Sequence, residues 1–224
     1  MGAGPRENQM RDRDVRAAVR QKLAAQYAGD AANTRIVEEM GVWSGTVRID
    51  IAVINGELWG YELKSERDTL ERLPTQANIY SKVFDRVTLV VGTRHVGAAE
   101  DAVPPWWGLI VAKGDGASVR LRSVRDAERN PAPDPRLVAE LLWRDEAIAA
   151  LDVFGLAKGW RDKKAKLLHQ RLAAGLSFQQ LSEQVRLALK RREGWLGQHV
   201  SHQLDMSVDT VANPDRQVRG TGFI

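Results

Sequence analysis

The hydrophobic positions follow two different patterns, which divide the chain into an α/β part and a helical part. In residues 14–27 apolar side chains recur every four residues, which predicts an amphipathic helix. Short runs rich in β-branched residues then predict three strands, and Asn55-Gly56 predicts a tight hairpin between the second and the third. The three strands are expected at 35–40, 46–54 and 58–64.

After these strands the pattern predicts a helix at 68–84, disturbed or restarted at Pro74. A wholly apolar run at 87–91 indicates a strand covered on both faces, and a further hairpin is expected within 107–124. Residues 130–135, NPAPDP, indicate a linker, beyond which leucines recur at helical spacing. We therefore predict an α/β domain at 13–129 and an α-helical region at 136–204.

The alternation of side chains predicts the register of the first hairpin. The apolar side chains of its strands share a face only if Asp50 lies directly opposite Glu62. This register centres on Gly56. It requires a loop with an odd number of residues, with that glycine in the left-handed conformation. It also gathers Asp50, Glu62 and Lys64 on the less apolar face. On the second strand the expected apolar face consists of Ile49, Ile51 and Val53.

Two facing carboxylates repel each other, and a bound cation removes that cost. Mg²⁺ takes oxygen ligands, commonly one or two carboxylates with waters and substrate phosphate. Asp50, Glu62 and the backbone carbonyl of Leu63 would supply such oxygens, and Lys64 would lie close to a water or a phosphate oxygen. This arrangement suits metal-assisted phosphodiester hydrolysis. A solvated salt-bridge face is an equally good interpretation of these residues alone.

The same stretch resembles the PD-(D/E)XK nuclease superfamily, whose restriction-endonuclease-like core comprises a helix, a three-stranded meander, a helix and a strand. Asp50 in RIDIAV matches the acidic position, although Ile49 stands where the strict motif has proline, and ELK at 62–64 matches E-x-K. EMG at 39–41, DTLxRLPxQxxxY at 68–80 and WWG resemble an uncharacterised bacterial group within it. The resemblance implies a Mg²⁺- or Mn²⁺-dependent nuclease, acting on DNA more than on RNA.

The resemblance also implies further site residues. An upstream glutamate often completes such sites, and we favour Glu39 over Glu38. Arg72, Gln76 and Tyr80 share a helix face, and Gln76 and Tyr80 resemble motif positions that help orient substrate or the catalytic lysine. We therefore expect them to contact nucleic acid, against the alternative of a polar helix face. The basic residues Lys190, Arg191 and Arg192 are also candidates for contact with a nucleic-acid backbone, against the alternative of a solvated helix end.

Composition narrows the functional class. The 224 residues include no cysteine, which excludes disulfides and cysteine nucleophiles, and the formal net charge of +4 is compatible with a polyanionic partner. No apolar run suggests a membrane span or a signal peptide, so we expect a cytoplasmic protein. The rival hypotheses are a non-catalytic module that binds nucleic acid or protein on a nuclease-like fold, and a helical interaction protein. A homodimer is compatible with the sequence, and repair, defence, mobile-element maintenance and toxin roles all remain open.

Overall fold

The computed structural model describes residues 10–43, 45–114 and 118–193. The fold is mixed α/β, as predicted. The α/β part contains α1 Asp12–Gln26, β1 Arg35–Val42, β2 Val47–Ile54, β3 Leu58–Lys64, α2 Leu73–Tyr80, β4 Arg86–Gly92, α3 Val96–Ala102, β5 Gly108–Gly114 and β6 Val119–Arg125. The helical part contains α4 Pro135–Ala139, α5 Arg144–Val153, α6 Ala165–Gly175 and α7 Phe178–Arg191. None of the helices within the described ranges has the length and apolar character needed to span a bilayer.

The described strands form one six-stranded sheet in sequential order. β1, β2 and β3 are an antiparallel meander, β4 and β5 join it in parallel, and β6 returns antiparallel to β5. The helix predicted at 68–84 is shorter, because it begins at Leu73 with Pro74 in its first turn, where a missing N–H costs little. The short helix α3 was not predicted.

Helices cover both faces of the sheet. On one face α1 packs against β2, β3 and β4, and we call this set the α1-side cluster: Val15, Val19, Leu23, Ile51, Val53, Tyr61, Leu63 and Val90, with their neighbours. On the other face α2 and α4–α7 pack against the sheet, and we call this set the C-terminal-side cluster: Ala52, Leu58, Tyr80, Phe84, Leu89, Leu151, Leu172, Val185 and Leu189, with theirs. The strands β3 and β4 are therefore buried on both sides, as the apolar run of β4 predicts, whereas β6 is largely exposed.

The helical part is joined to the sheet by a fixed connection. Asn130 donates its backbone N–H to the Asp85 carbonyl at 2.8 Å and its side-chain amide to the Phe84 carbonyl at 2.8 Å. The backbone N–H of Asp134 donates to the Lys82 carbonyl at 2.8 Å. The predicted regions 13–129 and 136–204 therefore share a hydrophobic cluster across this connection, as far as the chain is described.

The predicted register of the first hairpin is confirmed, with two corrections. Ile51 pairs with Tyr61 and Val53 with Trp59, which places Asp50 opposite Glu62. The expectation of a left-handed Gly56 is wrong, because its φ is negative. The expectation that Ile49 and Ile51 share a face is also wrong, because Ile49 belongs to the C-terminal-side cluster. The alternation of β2 side chains between the two faces of the sheet is lost where β2 stops pairing with β3.

Candidate active site

The predicted carboxylates lie where β2 and β3 separate. Backbone pairing ends at Ile51 and Tyr61. Beyond that pair the N–H of Leu63 donates to Asp50 Oδ2 at 2.7 Å, where a continuing ladder would offer it a backbone carbonyl. The side chain of Asp50 thus replaces a rung of the sheet, and its carboxylate is held between two strands at the end of the hairpin.

Glu62 is almost completely buried, at 2% exposure. Its Oε1 accepts hydrogen bonds from Lys64 Nζ at 2.5 Å and from Gln76 Nε2 at 2.6 Å. Its Oε2 is also buried and accepts no hydrogen bond of good geometry among the described residues, although the Tyr80 hydroxyl lies close enough to lower the pKa of Glu62. Burial, and secondarily the neighbouring Asp50 carboxylate, raise the pKa of Glu62 to about 7, against the opposing effect of Lys64. Glu62 is therefore a buried carboxylic acid whose second oxygen, Oε2, accepts no hydrogen bond of good geometry.

Helix α2 supports Glu62 from the C-terminal side. Gln76 lies in its middle and faces β3, with Nε2 3.4 Å from the Tyr80 hydroxyl. That hydroxyl donates to the Arg48 carbonyl at 2.5 Å. Tyr80 is fully buried, so the prediction that it contacts nucleic acid is wrong in this conformation. Gln76 instead donates to the Glu62 oxygen that also accepts from Lys64, and Tyr80 donates to the β2 backbone at Arg48.

Arg16 is a site residue that the sequence did not indicate. It projects from α1, and its Nη2 lies 2.8 Å from Asp50 Oδ1 and 3.0 Å from Glu39 Oε1. Its Nη1 also donates to the Asp50 carbonyl at 3.0 Å. Burial raises the pKa of Asp50 above its ordinary value, while the Leu63 N–H and Arg16 oppose that rise. Only the packing of α1 across the sheet brings this arginine to the carboxylates.

Glu39 lies next to Asp50 in an unusual backbone conformation. The register that pairs Glu38 with Ile51 and Met40 with Ile49 places Glu39 opposite Asp50. Its φ of 51° is left-handed, which is uncommon for a residue other than glycine. Glu38 instead forms an ion pair with Arg20 Nε at 3.0 Å. Of the two competing glutamates, the structure brings Glu39 to the predicted site.

These residues line a cleft of about 960 Å³. Glu39, Asp50, Glu62, Lys64, Arg72 and Gln76 all contribute to its lining. The turn between α4 and α5 and one face of α6 supply another part, through Leu142, Trp143 and His169. The helical part therefore completes the cleft. Sequence spacing could not predict this wall, because it depends on how distant elements pack.

Comparison with known proteins assigns the chain to a family. Residues 5–204 match the family described as Bacteriophage P4 protein cII. The chain belongs to this family. Protein cII of Enterobacteria phage P4 is 25% identical over 183 residues, which cover 82% of this chain and 68% of that protein. A protein of unknown function from Silicibacter pomeroyi, with a solved structure, is 19% identical and covers 73% of this chain at a TM-score of 0.38. All of the Silicibacter chain is covered.

The candidate site of this cII-family chain offers hard oxygen ligands of the kind that Mg²⁺ or Mn²⁺ takes. The unpartnered Glu62 Oε2 fits a cation, because a buried carboxylate oxygen without a partner is costly. Asp50 already accepts the Leu63 N–H and Arg16. Within the described ranges no group of three or more His, Asp or Glu side chains is arranged to hold a metal ion. An ion shared by Asp50 and Glu62 would therefore compete with Arg16 for Asp50.

The basic cluster at the end of α7 is only partly available to a polyanion. Arg192 is buried, donates from Nε to Glu146 Oε1 at 2.8 Å and from Nη2 to the Leu141 carbonyl at 2.7 Å. Its pairing with Glu146 is bidentate. Arg192 lines the cleft, but its guanidinium is already engaged by Glu146 and the Leu141 carbonyl, so its contact with a nucleic-acid backbone stays a prediction. Arg191 is exposed and Lys190 half-buried, and neither lines the cleft.

Proposed function

We propose that this protein is a Mg²⁺- or Mn²⁺-dependent nuclease that hydrolyses phosphodiester bonds, in DNA more than in RNA. We also propose that residues 13–129 form a restriction-endonuclease-like core, and that the protein acts in the cytoplasm. One observation carries the proposal. Asp50, Glu62 and Lys64 converge on the floor of one cleft, where Glu62 Oε2 is buried without a partner.

In this proposal Asp50, Glu62 and the Leu63 carbonyl would hold the metal ion. An ion bound there would polarise a phosphoryl oxygen and lower the pKa of water. Lys64 provides a compact positive charge, which its ion pair with Glu62 Oε1 keeps at the site. It stabilises negative charge that develops on the phosphate during attack, or orients the attacking water. Gln76 holds Glu62 in place, because its amide donates to the same carboxylate oxygen.

The test is incubation of the purified chain with single- and double-stranded DNA and RNA. Each substrate is tested with Mg²⁺, with Mn²⁺ and with EDTA, and Lys64→Ala serves as the matched inactive variant. We expect cleavage that requires the metal and is lost in Lys64→Ala. Absence of cleavage with both metals, or equal cleavage by the variant, contradicts the proposal.

A second candidate function is a non-catalytic module that binds nucleic acid or protein on the same fold. It is favoured by Arg16, whose ion pairs with Asp50 and Glu39 occupy two of the carboxylates that a catalytic ion would need. Calorimetric titration with Mn²⁺ separates the two candidates. Binding that is strengthened by Arg16→Ala and lost in Asp50→Asn favours the nuclease, whereas no binding by either wild type or Arg16→Ala favours the module.

A further inference from the structure

The exposed side chains of the cleft differ in kind from those on its floor. The floor carboxylates and Lys64 are buried or half-buried. Glycines aside, the exposed residues that line the cleft within the described part of the chain are Trp43, Thr46, Arg48, Arg72, Trp143 and Arg144. The charged residues in that set are arginines, while the side chains of Asp12 and Glu39, which also line the cleft, are 46% and 41% exposed. A cleft with an acidic floor thus has a rim of tryptophan and arginine.

The two tryptophans are held in different ways, Trp43 by a strained backbone and Trp143 by a cation–π contact. Trp43 is 48% exposed and adopts a φ of 51° in the turn between β1 and β2, which is strained for a bulky residue. Trp143 is 45% exposed and precedes α5. The guanidinium carbon of Arg192 lies 4.3 Å from the centre of the Trp143 ring, and Arg192 is in turn fixed by Glu146. Neither ring contributes to the two hydrophobic clusters.

Exposed aromatic rings beside arginines are what an unpaired nucleic-acid strand requires. Successive bases stack on the rings, and the cations follow the phosphates. A base in a duplex is already stacked on its neighbours, so it reaches an aromatic ring only after it has been unpaired. A volume of about 960 Å³ is that of a small-ligand pocket, which admits a few splayed nucleotides more readily than a double helix.

We propose that this cleft binds unpaired nucleotides, whose bases stack on Trp43 and Trp143 while their phosphates contact Arg48, Arg72 and Arg144. This inference rests on the proposed function and adds the substrate class: single strands, or the unpaired segments of a longer nucleic acid. The arginines place the phosphate backbone along the rim, above the carboxylates and Lys64. The shared chemistry is a base with a phosphate backbone, which DNA and RNA both supply.

The experiment measures binding separately from cleavage. Full-length Lys64→Ala with Mg²⁺ is titrated into labelled single-stranded DNA of about 12 nucleotides, a length within the usual site size. The same sequence is also tested as duplex DNA and as single-stranded RNA. We expect the single strand to bind at least about tenfold more tightly than the duplex. Trp43→Leu and Trp143→Leu keep apolar bulk but remove the ring, and each should weaken single-strand binding by roughly 5- to 100-fold.

The control is Trp160→Leu, because Trp160 also lies under an arginine, Arg171 at 5.3 Å, but does not line the cleft. It should leave affinity unchanged. Trp43→Phe and Trp143→Phe should restore much of the binding, which a loss of folding would not allow, and melting temperatures check this directly. Duplex binding as tight as single-strand binding, or unchanged affinity in both leucine variants, overturns the inference.

The remaining outcomes separate the two proposals. If the ring-dependent preference for single strands holds but wild type does not cleave with Mg²⁺ or Mn²⁺, the nuclease proposal fails and the binding inference stands. If wild type cleaves duplex DNA and the leucine variants cleave it equally well, the nuclease proposal stands and the binding inference fails. Tighter binding of single-stranded RNA than of DNA identifies RNA as the source of the strand.

Discussion

Replacing Glu62 by glutamine tests the electrostatics of the site through the pH dependence of stability. Glutamine keeps the size of the side chain and an acceptor for Lys64 and Gln76, but it cannot ionise. The buried carboxyl has a pKa of about 7 in place of its ordinary 4.5. Between these values the folded protein holds a proton that the unfolded chain has released. The free energy of unfolding of the metal-free wild type therefore falls as pH rises through this interval.

The magnitude follows from the same two pKa values. At about 1.4 kcal/mol per pKa unit, the ionisation of Glu62 lowers the free energy of unfolding by about 3 kcal/mol, most of it lost by about pH 7. The side chain is only 2% exposed, so solvent screening does little to reduce this figure. Wild type at low pH and Glu62→Gln at any pH both carry an uncharged side chain at this position.

The assay is denaturant unfolding of both proteins in EDTA at several pH values from about 4 to 8. The informative quantity is wild type minus Glu62→Gln, because other groups titrate too, including His169, whose pKa burial lowers. We expect this difference to fall by about 3 kcal/mol across the interval and to be flat on either side. Glu71→Gln, at an exposed position, is the matched control and should give a flat difference. A flat difference for Glu62→Gln as well refutes the reasoning.

Three further predictions concern neighbouring groups. Asp50→Asn should weaken Mn²⁺ binding at least about tenfold by calorimetry, because it removes a carboxylate from the proposed ligand set; affinity equal to wild type argues against a metal at Asp50. Lys64→Ala should abolish cleavage and retain Mn²⁺ binding. Lys64→Arg should not restore cleavage, since a planar guanidinium does not replace a compact ammonium. Full activity in either variant would make Lys64 a structural residue. Arg192→Ala should lower the free energy of unfolding by about 3 kcal/mol, because Glu146 loses its buried partner. The control Arg191→Ala should leave the free energy of unfolding unchanged. Equal effects of the two substitutions would contradict the pairing of Arg192 with Glu146.

The local part of the site could be predicted from the sequence. The two-residue period of β2 and β3, together with an odd loop, was enough to place Asp50 opposite Glu62. Lys64 followed, because it lies two residues after Glu62 on the same strand. These relations depend on neighbours within one hairpin, where register is set by which side chains must be buried.

The rest of the site depends on contacts between distant elements. Arg16 is an ordinary polar position of an amphipathic helix until α1 packs across the sheet and brings it to Asp50. Arg192 carries the signature of a helix end, yet Glu146 and Trp143 bury it. Leu167 belongs to the leucines that recur at helical spacing, yet it is 42% exposed because α6 turns its other face inward. Periodicity assigns faces to an element but does not say which partner each face meets.

The hydrophobic cluster shared by the sheet and α4–α7 can form only after both have been translated. The chain leaves the ribosome from its N-terminus, so the sheet and its carboxylates emerge before α4–α7 exist. Until then, one apolar face of the sheet is covered by α2 but lacks α4–α7, and the cleft lacks the wall that carries Trp143. A nascent chain that ends at the Asn130 connection therefore displays the acidic pair without a finished binding surface. The strand recognition proposed above would therefore wait until residues up to the end of α7 have been translated.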